Sequence, residues 1–589
     1  MEFDRKTILA FVLIGVILLL INTDFYQRMM FSGAPAPKPA TDEYVKQIET
    51  DASEQHQELG EKASVLPTSE SRAQSLYELY AGVDSIREEK YLIETPLYIA
   101  EMSNKGAVLR RVQLKNYLNT EREPVTIFAD EIGSPSVLLP IGEDTLDTAN
   151  LMFYTVGQSV KLEEKQNSTI TFTHRQRDGQ EVRKTFTFAA DKYDIDLQVD
   201  FSNIRTLISP YSYGLHWQSP LLSTEQNVKE DMGHAKVYAF VDRELEEVDI
   251  GDSPSNAGNT TWLAGRTKYF ACAIIPLGKS GDGLRIKGQL ANDAHGNQVK
   301  QYSYSLFMPL YGEGSEAQRF KLFIGPLNYR ILKSYDVDLH RMMGLGWKWV
   351  VEPFSILTLT AFTFLHQFIP NYGVVIVVFS VLVKLILNPL TRRSTRSMKE
   401  MQLLQPKIAE LRQKHEKDPQ RLNQETMKLY KEHGVNPLGG CLPTLLQMPL
   451  LFALFVVFSS TIELRQAPFV LWIKDLSVAD TILHLPWGIP LNVLPLVMGA
   501  TMFLQQKMTM TDPKQKFMLY SMPIIFTFMF YNFPSGLTLY YSLFNIMSLV
   551  QQKYFTGSGP IELKKKKTKA RPWQKLSFNA ALARGRSTK

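Results

Sequence analysis

Two hydrophobic rhythms divide this chain near residue 345. From 91 to 330 apolar and polar positions alternate, as in Thr169-Ile-Thr-Phe-Thr173, Lys184-Thr-Phe-Thr-Phe188 and Tyr193-Asp-Ile-Asp-Leu-Gln-Val-Asp-Phe201, with Gly, Asn and Asp between the runs. Period two places alternate side chains on one face of a strand, so the segment predicts an all-β sandwich of many antiparallel strands. At about 240 residues it is long enough to bury a full core.

Beyond residue 345 the rhythm gives way to long stretches without a charge, over 353–383, 434–462, 481–506 and 517–552, apart from Lys384 at the edge of the first. Such stretches read as membrane segments. The last is interrupted by Asn532-Phe-Pro-Ser-Gly536, which predicts a helical hairpin of two short spans. Near the start, Arg5 and Lys6 precede the apolar run 8–21, the pattern of a membrane anchor or a signal. Bulky Phe25, Tyr26 and Met29 follow it, which favours an uncleaved anchor. In either case the chain that follows is exported.

Charge sets the orientation. Residues 391–437 carry eleven Lys and Arg against six acids, and 505–516 carry three Lys against Asp512, so both face the cytoplasm. Residues 463–488 hold two bases and three acids and face outward. Only one of the candidates 347–368 and 373–390 can then cross. The first has Lys348, Glu352, Ser355, Thr363 and His366 on one face and Trp347, Val351, Phe354, Leu357 and Phe364 on the other, and reads as a helix in the outer interface.

The expected organisation is an anchor (1–22), a polar exported linker (23–90), the β-sandwich (91–330), the interfacial helix (347–368), a span (373–390) and a basic cytoplasmic helical hairpin (391–437). Further spans follow at 438–462, 489–506, 517–531 and 537–552, with an outer loop at 463–488 and a cytoplasmic tail at 553–589. The fold class is a polytopic α-helical membrane protein with an exported all-β domain and both termini cytoplasmic.

Composition changes this picture in two places. The net charge of +6 comes from the tail, where residues 563–589 hold ten Lys and Arg and no acid. Lys564, Lys565, Lys566, Lys567, Lys569 and Arg571 form its core, a cationic arm suited to anionic lipid headgroups or ribosomal RNA. Only Cys272 and Cys441 are present, which excludes a disulfide framework and a four-thiolate zinc site. No metal or cofactor is expected.

Lys384 is the single charge inside an apolar span, seven residues before Thr391. It needs water, a partner, or a snorkelling path to the boundary. Gln447, Asn492, Thr501, Gln505, Thr538, Tyr541 and Asn545 on other spans supply polar groups for a wet cavity around it, although Thr and Tyr also bond within bundles. Ser380, one turn earlier, raises a rival reading as an intramembrane Ser/Lys hydrolase, which lacks any oxyanion-hole motif. A secondary transporter is a second rival, without the inverted repeat that such folds carry.

The runs Asn388-Pro-Leu-Thr391, Gln405-Pro-Lys-Ile408, Asn436-Pro-Leu-Gly-Gly-Cys-Leu-Pro443, Gln447-Met-Pro449, Glu463-Leu-Arg-Gln-Ala-Pro468 and Phe533-Pro-Ser-Gly-Leu-Thr-Leu-Tyr-Tyr541 resemble the YidC membrane-protein insertase family. With its large exported domain, the layout is similar to the Gram-negative bacterial form. The resemblance implies five core helices around a hydrophilic groove open to cytoplasm and lipid, and a β-supersandwich outside. It implies no enzymatic activity, and a chain that works as a monomer in the inner membrane on nascent membrane proteins, alone or beside the Sec translocon. It also implies that Ser380, Met448 and Tyr541 are groove or substrate-contacting positions near Lys384, where the family usually carries Arg; Gln447, Gln505 and Asn545 join that groove as the polar residues noted above. Ribosome docking through the tail and the basic hairpin follows from the same likeness.

Overall fold

The computed structural model describes residues 87–141, 144–175, 181–202, 212–252, 254–309, 317–416, 418–435, 442–486, 488, 490–509 and 516–555. The anchor, most of the linker, the tail with Lys564–Lys567, Lys569 and Arg571, and the motif residues 436–441 lie outside them. The chain divides into two compact units, one spanning Ser32–Gly344 and the other Met1–Phe31 with Leu345–Lys589.

In the first unit the alternating pattern forms two sheets. The smaller has five strands, Pro124–Ser134, Val108–Leu118, Tyr98–Ser103, Lys90–Glu94 and Val160–Lys161 in that order; the larger has thirteen. Register follows from the period. Phe186 on the strand Glu181–Ala189 pairs with Leu197 on one side and Ile170 on the other, all buried, while Thr169 meets Thr187 and Thr171 meets Thr185 across the opposite face. Trp217, Trp262, Tyr213, Phe128 and Phe172 fill the core.

Period two also turns Lys184 inward with Phe186 and Phe188. Its Nζ donates to the carbonyl oxygens of Gly106 at 2.7 Å and of Ala107 and Pro135 at 3.4 Å, and lies 5.5 Å from the Phe153 ring centre. Gly106 follows a strand of the smaller sheet and Pro135 precedes one of the larger, so this ammonium joins the two sheets. Burial pulls its pKa down to about 7, with Asp147 pulling the other way. Two short helices complete the unit, α1 (Val228–His234) and α2 (Tyr329–Lys333).

The second unit is helical: α3 (Glu352–His366), α4 (Tyr372–Lys414), α5 (Pro419–His433), α6 (Leu442–Ser460), α7 (Val493–Thr509), α8 (Lys516–Met529) and α9 (Ser535–Val550). Among the described residues, α4 alone is both long and apolar enough to cross a membrane by the usual length criterion. The other apolar helices are shorter, with 19 residues in α6, 17 in α7, 14 in α8 and 16 in α9.

Two boundaries differ from expectation. The span (373–390) and the first arm of the cytoplasmic hairpin, read as separate segments, form one helix: α4 runs unbroken for 43 residues through Pro389 and Pro406. Each proline removes one backbone donor, yet the helix continues across both; nearby the Thr391 hydroxyl donates back to the Leu387 carbonyl at 2.8 Å. α5 then folds back after Asp418, whose side chain caps it, and ends at Gly434 in the left-handed conformation. Leu404, Ile408 and Val435 form the small core of that hairpin, with Met401 packed on it.

The second difference is α3, which begins at Glu352 rather than Trp347. Its buried side holds Ser355, Thr358, Leu359 and Phe362, so Ser355, assigned to the polar face, points into the protein, and Val351 is buried as well. Phe354, Leu357 and Phe364 stand exposed. Small hydroxyl residues let the helix approach its neighbours closely, and Phe362 meets Phe379 of α4 at 5.0 Å and Phe458 of α6 at 5.6 Å.

Candidate functional site

The face of α4 that turns inward is set by helical spacing. Val375, Ile376, Phe379, Ser380, Val383 and Lys384 are buried, while Val381, Leu382, Leu385 and Ile386 are exposed, Ile386 at 74%. Lys384 is 8% exposed. It therefore faces the bundle, and the snorkelling path is not taken.

Its partners are on α9. Lys384 Nζ donates to Ser548 Oγ at 2.6 Å and lies 4.4 Å from the centre of the Phe544 ring. Among the described residues no carboxylate pairs with it. One turn nearer the basic hairpin, Gln551 Nε2 donates to Asn388 Oδ1 at 2.7 Å, and on the other side Phe379 meets Tyr540 at 6.3 Å. The seam between α4 and α9 thus reads, from the α9 start downward, aromatic pair, cation on hydroxyl and ring, amide pair.

Ser380 is fully buried and its hydroxyl donates to the Ile376 carbonyl at 2.7 Å. Lys384 turns to Ser548 instead, so the nucleophile and base required of a Ser/Lys hydrolase are not paired. Tyr541 and Asn545 are half-buried on α9, with Tyr541 packed on Phe530 at 5.5 Å and on Tyr540 at 5.7 Å. Gln447 is half-buried and Met448 exposed on the second turn of α6, and Gln505 is half-buried near the end of α7. None of these residues is bonded to Lys384.

Asn492 and Thr538 belong to a different place. Asn492 is fully buried, donating to the Tyr531 carbonyl at 2.6 Å and accepting from Thr481 Oγ1 at 2.6 Å, and Thr538 bonds back to the Ser535 carbonyl at 3.0 Å. Asn492 thereby ties the end of the segment between α6 and α7 to the turn before α9, while Thr538 closes the first turn of α9 itself. That segment also receives Ser535 N at Val478 O (2.7 Å) and Gly536 N at Leu476 O (3.0 Å), from the turn that opens α9. Gly536 has no room for a side chain, since a Cβ there would stand 2.5 Å from Phe458 Cε1. At the start of α4, Asn371 donates to the Pro468 carbonyl, and Phe469 packs onto Gly373. One loop thereby holds the corresponding ends of α4, α7 and α9.

Ser548, Phe544 and Gln551 do not stand out in the sequence, and Asn388 does so only as the first residue of the run Asn388-Pro-Leu-Thr391. A signal is present even so: Tyr541, Asn545 and Ser548 recur at four and three residues, one stripe of a helix. An apolar cleft of about 520 Å³ between α7 and α8, lined by Gly499, Phe503, Tyr520, Ile524 and Thr527 among others, lies apart from Lys384. Among the described residues no His, Cys, Asp and Glu cluster could hold a metal ion.

The family described as 60Kd inner membrane protein matches residues 364–560, and the one described as YidC periplasmic domain matches residues 90–356. Proteins named membrane protein insertase YidC are similar along almost the whole chain. That of Chloroherpeton thalassium is 34% identical over 97% of this chain and 100% of its own, and that of Chlorobaculum parvum 33% identical over 94% and 95%. A crystal structure described as an active YidC insertase with its first transmembrane domain resolved covers 82% of this chain and 97% of its own, at 20% identity and a TM-score of 0.35.

Proposed function

This chain belongs to the YidC membrane-protein insertase family, and from that premise we propose that Lys384 is the cation of its insertion groove. The protein is an inner-membrane insertase, not an enzyme: it moves nascent membrane proteins into the bilayer and makes or breaks no covalent bond. The observation that carries the proposal is a buried, inward-facing ammonium on an otherwise apolar helix face, without a carboxylate partner among the described residues.

The physical account is one of cost. The exported segment of a substrate carries polar and acidic groups that hydrocarbon does not solvate, each costing several kcal/mol if left bare, roughly as an unpaired backbone group does. A fixed cation draws water and acidic groups part of the way across, which shortens the dry remainder. Helices of 14 to 19 residues add to this, because about 21 to 28 Å of helix in a core of about 30 Å favours local thinning. The substrate's apolar helix then partitions into lipid beside Ser380, Gln447, Met448, Gln505, Tyr541 and Asn545, the groove-lining set. The energy is that of apolar burial and, for acidic exported segments, the membrane potential.

In the same reading both termini and the α4–α5 hairpin are cytoplasmic, the β-sandwich is periplasmic, and helices α4 and α6 to α9 are the five core spans. The basic tail, with Lys564–Lys567, Lys569 and Arg571, docks on ribosomal RNA or anionic lipid, and the chain works as a monomer, alone or beside the Sec translocon. What supports the ribosome as partner is the length of the cationic arm, which continues for some twenty residues past the four lysines that would hold a last span in place.

The test of the groove cation is complementation in cells depleted of their own insertase. Lys384→Ala at normal protein level is expected to lose insertion of substrates with acidic or strongly polar exported segments, and Lys384→Arg to keep it. Full rescue by Lys384→Ala refutes the proposal.

A further inference from the structure

A lone lysine in an apolar span has an alternative to facing the groove. The boundary at Thr391 is seven residues on, about 10 Å along the helix, and a lysine stem covers about 6 Å of that. Something must hold the ammonium inward, and the α4–α9 seam contains a device for doing so. The Ser548 hydroxyl donates to the Phe544 carbonyl at 2.7 Å, which points its lone pairs away from its own helix and toward Lys384. The same Phe544 offers its ring face at 4.4 Å. A relay from ammonium to hydroxyl to carbonyl is charge-assisted, and each bond polarises the next. The ring adds a cation–π attraction that strengthens when water is excluded. One turn on, the Asn388–Gln551 amide pair fixes the rotation of α4 against α9 at the point where α9 passes into the π-helical turn Gln551–Phe555.

We propose that Ser548 and Phe544 are the positioning residues of the groove cation, holding the Lys384 ammonium inside the bundle and yielding it to an acidic group on the arriving exported segment. This rests on the assignment of Lys384 as that cation. A neutral hydroxyl and a ring suit that role, because they outcompete the boundary, yet a carboxylate brought by the substrate outcompetes them in turn. A permanent carboxylate partner would hold the cation too tightly to exchange. Specificity for acidic exported segments is thus carried by three residues on two helices.

The experiment uses the full chain in insertase-depleted cells and two reporters with the same apolar helix, one with a neutral exported segment and one with two acidic residues in it. Ser548→Ala is expected to reduce insertion of the acidic reporter about ten-fold, the worth of one hydrogen bond to a charged group, and to spare the neutral one. Ser548→Thr, which keeps the hydroxyl, restores it. Phe544→Leu gives a smaller loss confined to the acidic reporter, and Phe544→Tyr none. Equal loss of both reporters in Ser548→Ala without rescue by Ser548→Thr overturns the proposal, leaving Ser548 a packing residue. Normal insertion of both by Ser548→Ala, while Lys384→Ala fails, overturns the positioning role and leaves the groove cation standing; normal insertion by Lys384→Ala removes both.

Discussion

Asp480 is the residue on which the loop between α6 and α7 is expected to depend most. Its carboxylate is 5% exposed, and Oδ2 alone accepts three hydrogen bonds: from Trp472 Nε1 at 3.0 Å, Val493 N at 3.1 Å and Leu494 N at 2.7 Å. Two of the donors are the first backbone amides of α7, so an acid well upstream in the chain caps the helix and meets the positive end of its dipole. Asp480→Ala removes the acceptor from all three at once. A hydrogen bond to a charged group contributes about 1.5 to 3 kcal/mol, and water entering the vacated site recovers part of the sum, so the net cost is about 3 kcal/mol. For a unit of this size that corresponds to a fall on the order of 10 °C in midpoint. Asp480→Asn keeps one acceptor oxygen and loses the charge, for a cost nearer to about 1 kcal/mol. Thermal unfolding of the purified full chain in detergent, followed by tryptophan fluorescence, measures both. An Asp480→Ala midpoint within about 2 °C of the parent would refute the claim that this carboxylate holds the helix ends together.

Three further outcomes are expected. Gly373→Ala places a Cβ 2.0 Å from Phe469 Cδ2 and 2.6 Å from its Cβ, which ring rotation cannot relieve, so it destabilises by about 1 to 3 kcal/mol and Phe469→Ala in the same chain recovers much of the loss, as a double-mutant cycle will show. For Lys184 the folded pKa of about 7 lies below the ordinary 10.5, so between those values the unfolded chain binds a proton that the folded one does not, and stability of the β-sandwich rises with pH by up to about 1.4 kcal/mol per unit; denaturant titration from about pH 7 to 8.5 should show that rise and lose it in Lys184→Met, identical slopes refuting it. Truncation after Glu562 leaves membrane topology intact and weakens ribosome co-sedimentation, and binding of the intact chain falls steeply as salt is raised; unchanged co-sedimentation at low salt assigns the tail to lipid or topology instead.

The contacts at the α4–α9 seam, on which the proposed groove cation rests, are also where reading from sequence stopped. Period and local chemistry alone decide a good part of the fold. Alternation in Lys184-Thr-Phe-Thr-Phe188 makes a strand and says which face is buried, because side chains on a strand have no other choice. Asp418-Pro419 starts α5 and Gly434 ends it through backbone preferences that act within a turn. A single charge in an apolar run identifies Lys384 because its cost is intrinsic to the residue and the solvent. The motif Phe533-Pro-Ser-Gly536 predicts a turn, and Gly536 is required there by the approach of Phe458.

The rest was decided by how the elements meet. Whether Lys384 reaches for Ser380, for the boundary or for another helix depends on the rotation of α9 about its own axis, and residues 164 positions apart in the chain carry no local signal of that choice. The same holds for Asp480 and α7, and for the inward turn of Ser355, where close helix approach outweighed a polar face read from spacing alone. Pro389 costs α4 one backbone donor and does not end it, because the residues on either side keep their own helical bonds. Local preference is a matter of tenths to a few kcal/mol per residue, and packing between helices is of the same size or larger, so the sequence settles the elements while their contacts settle the site.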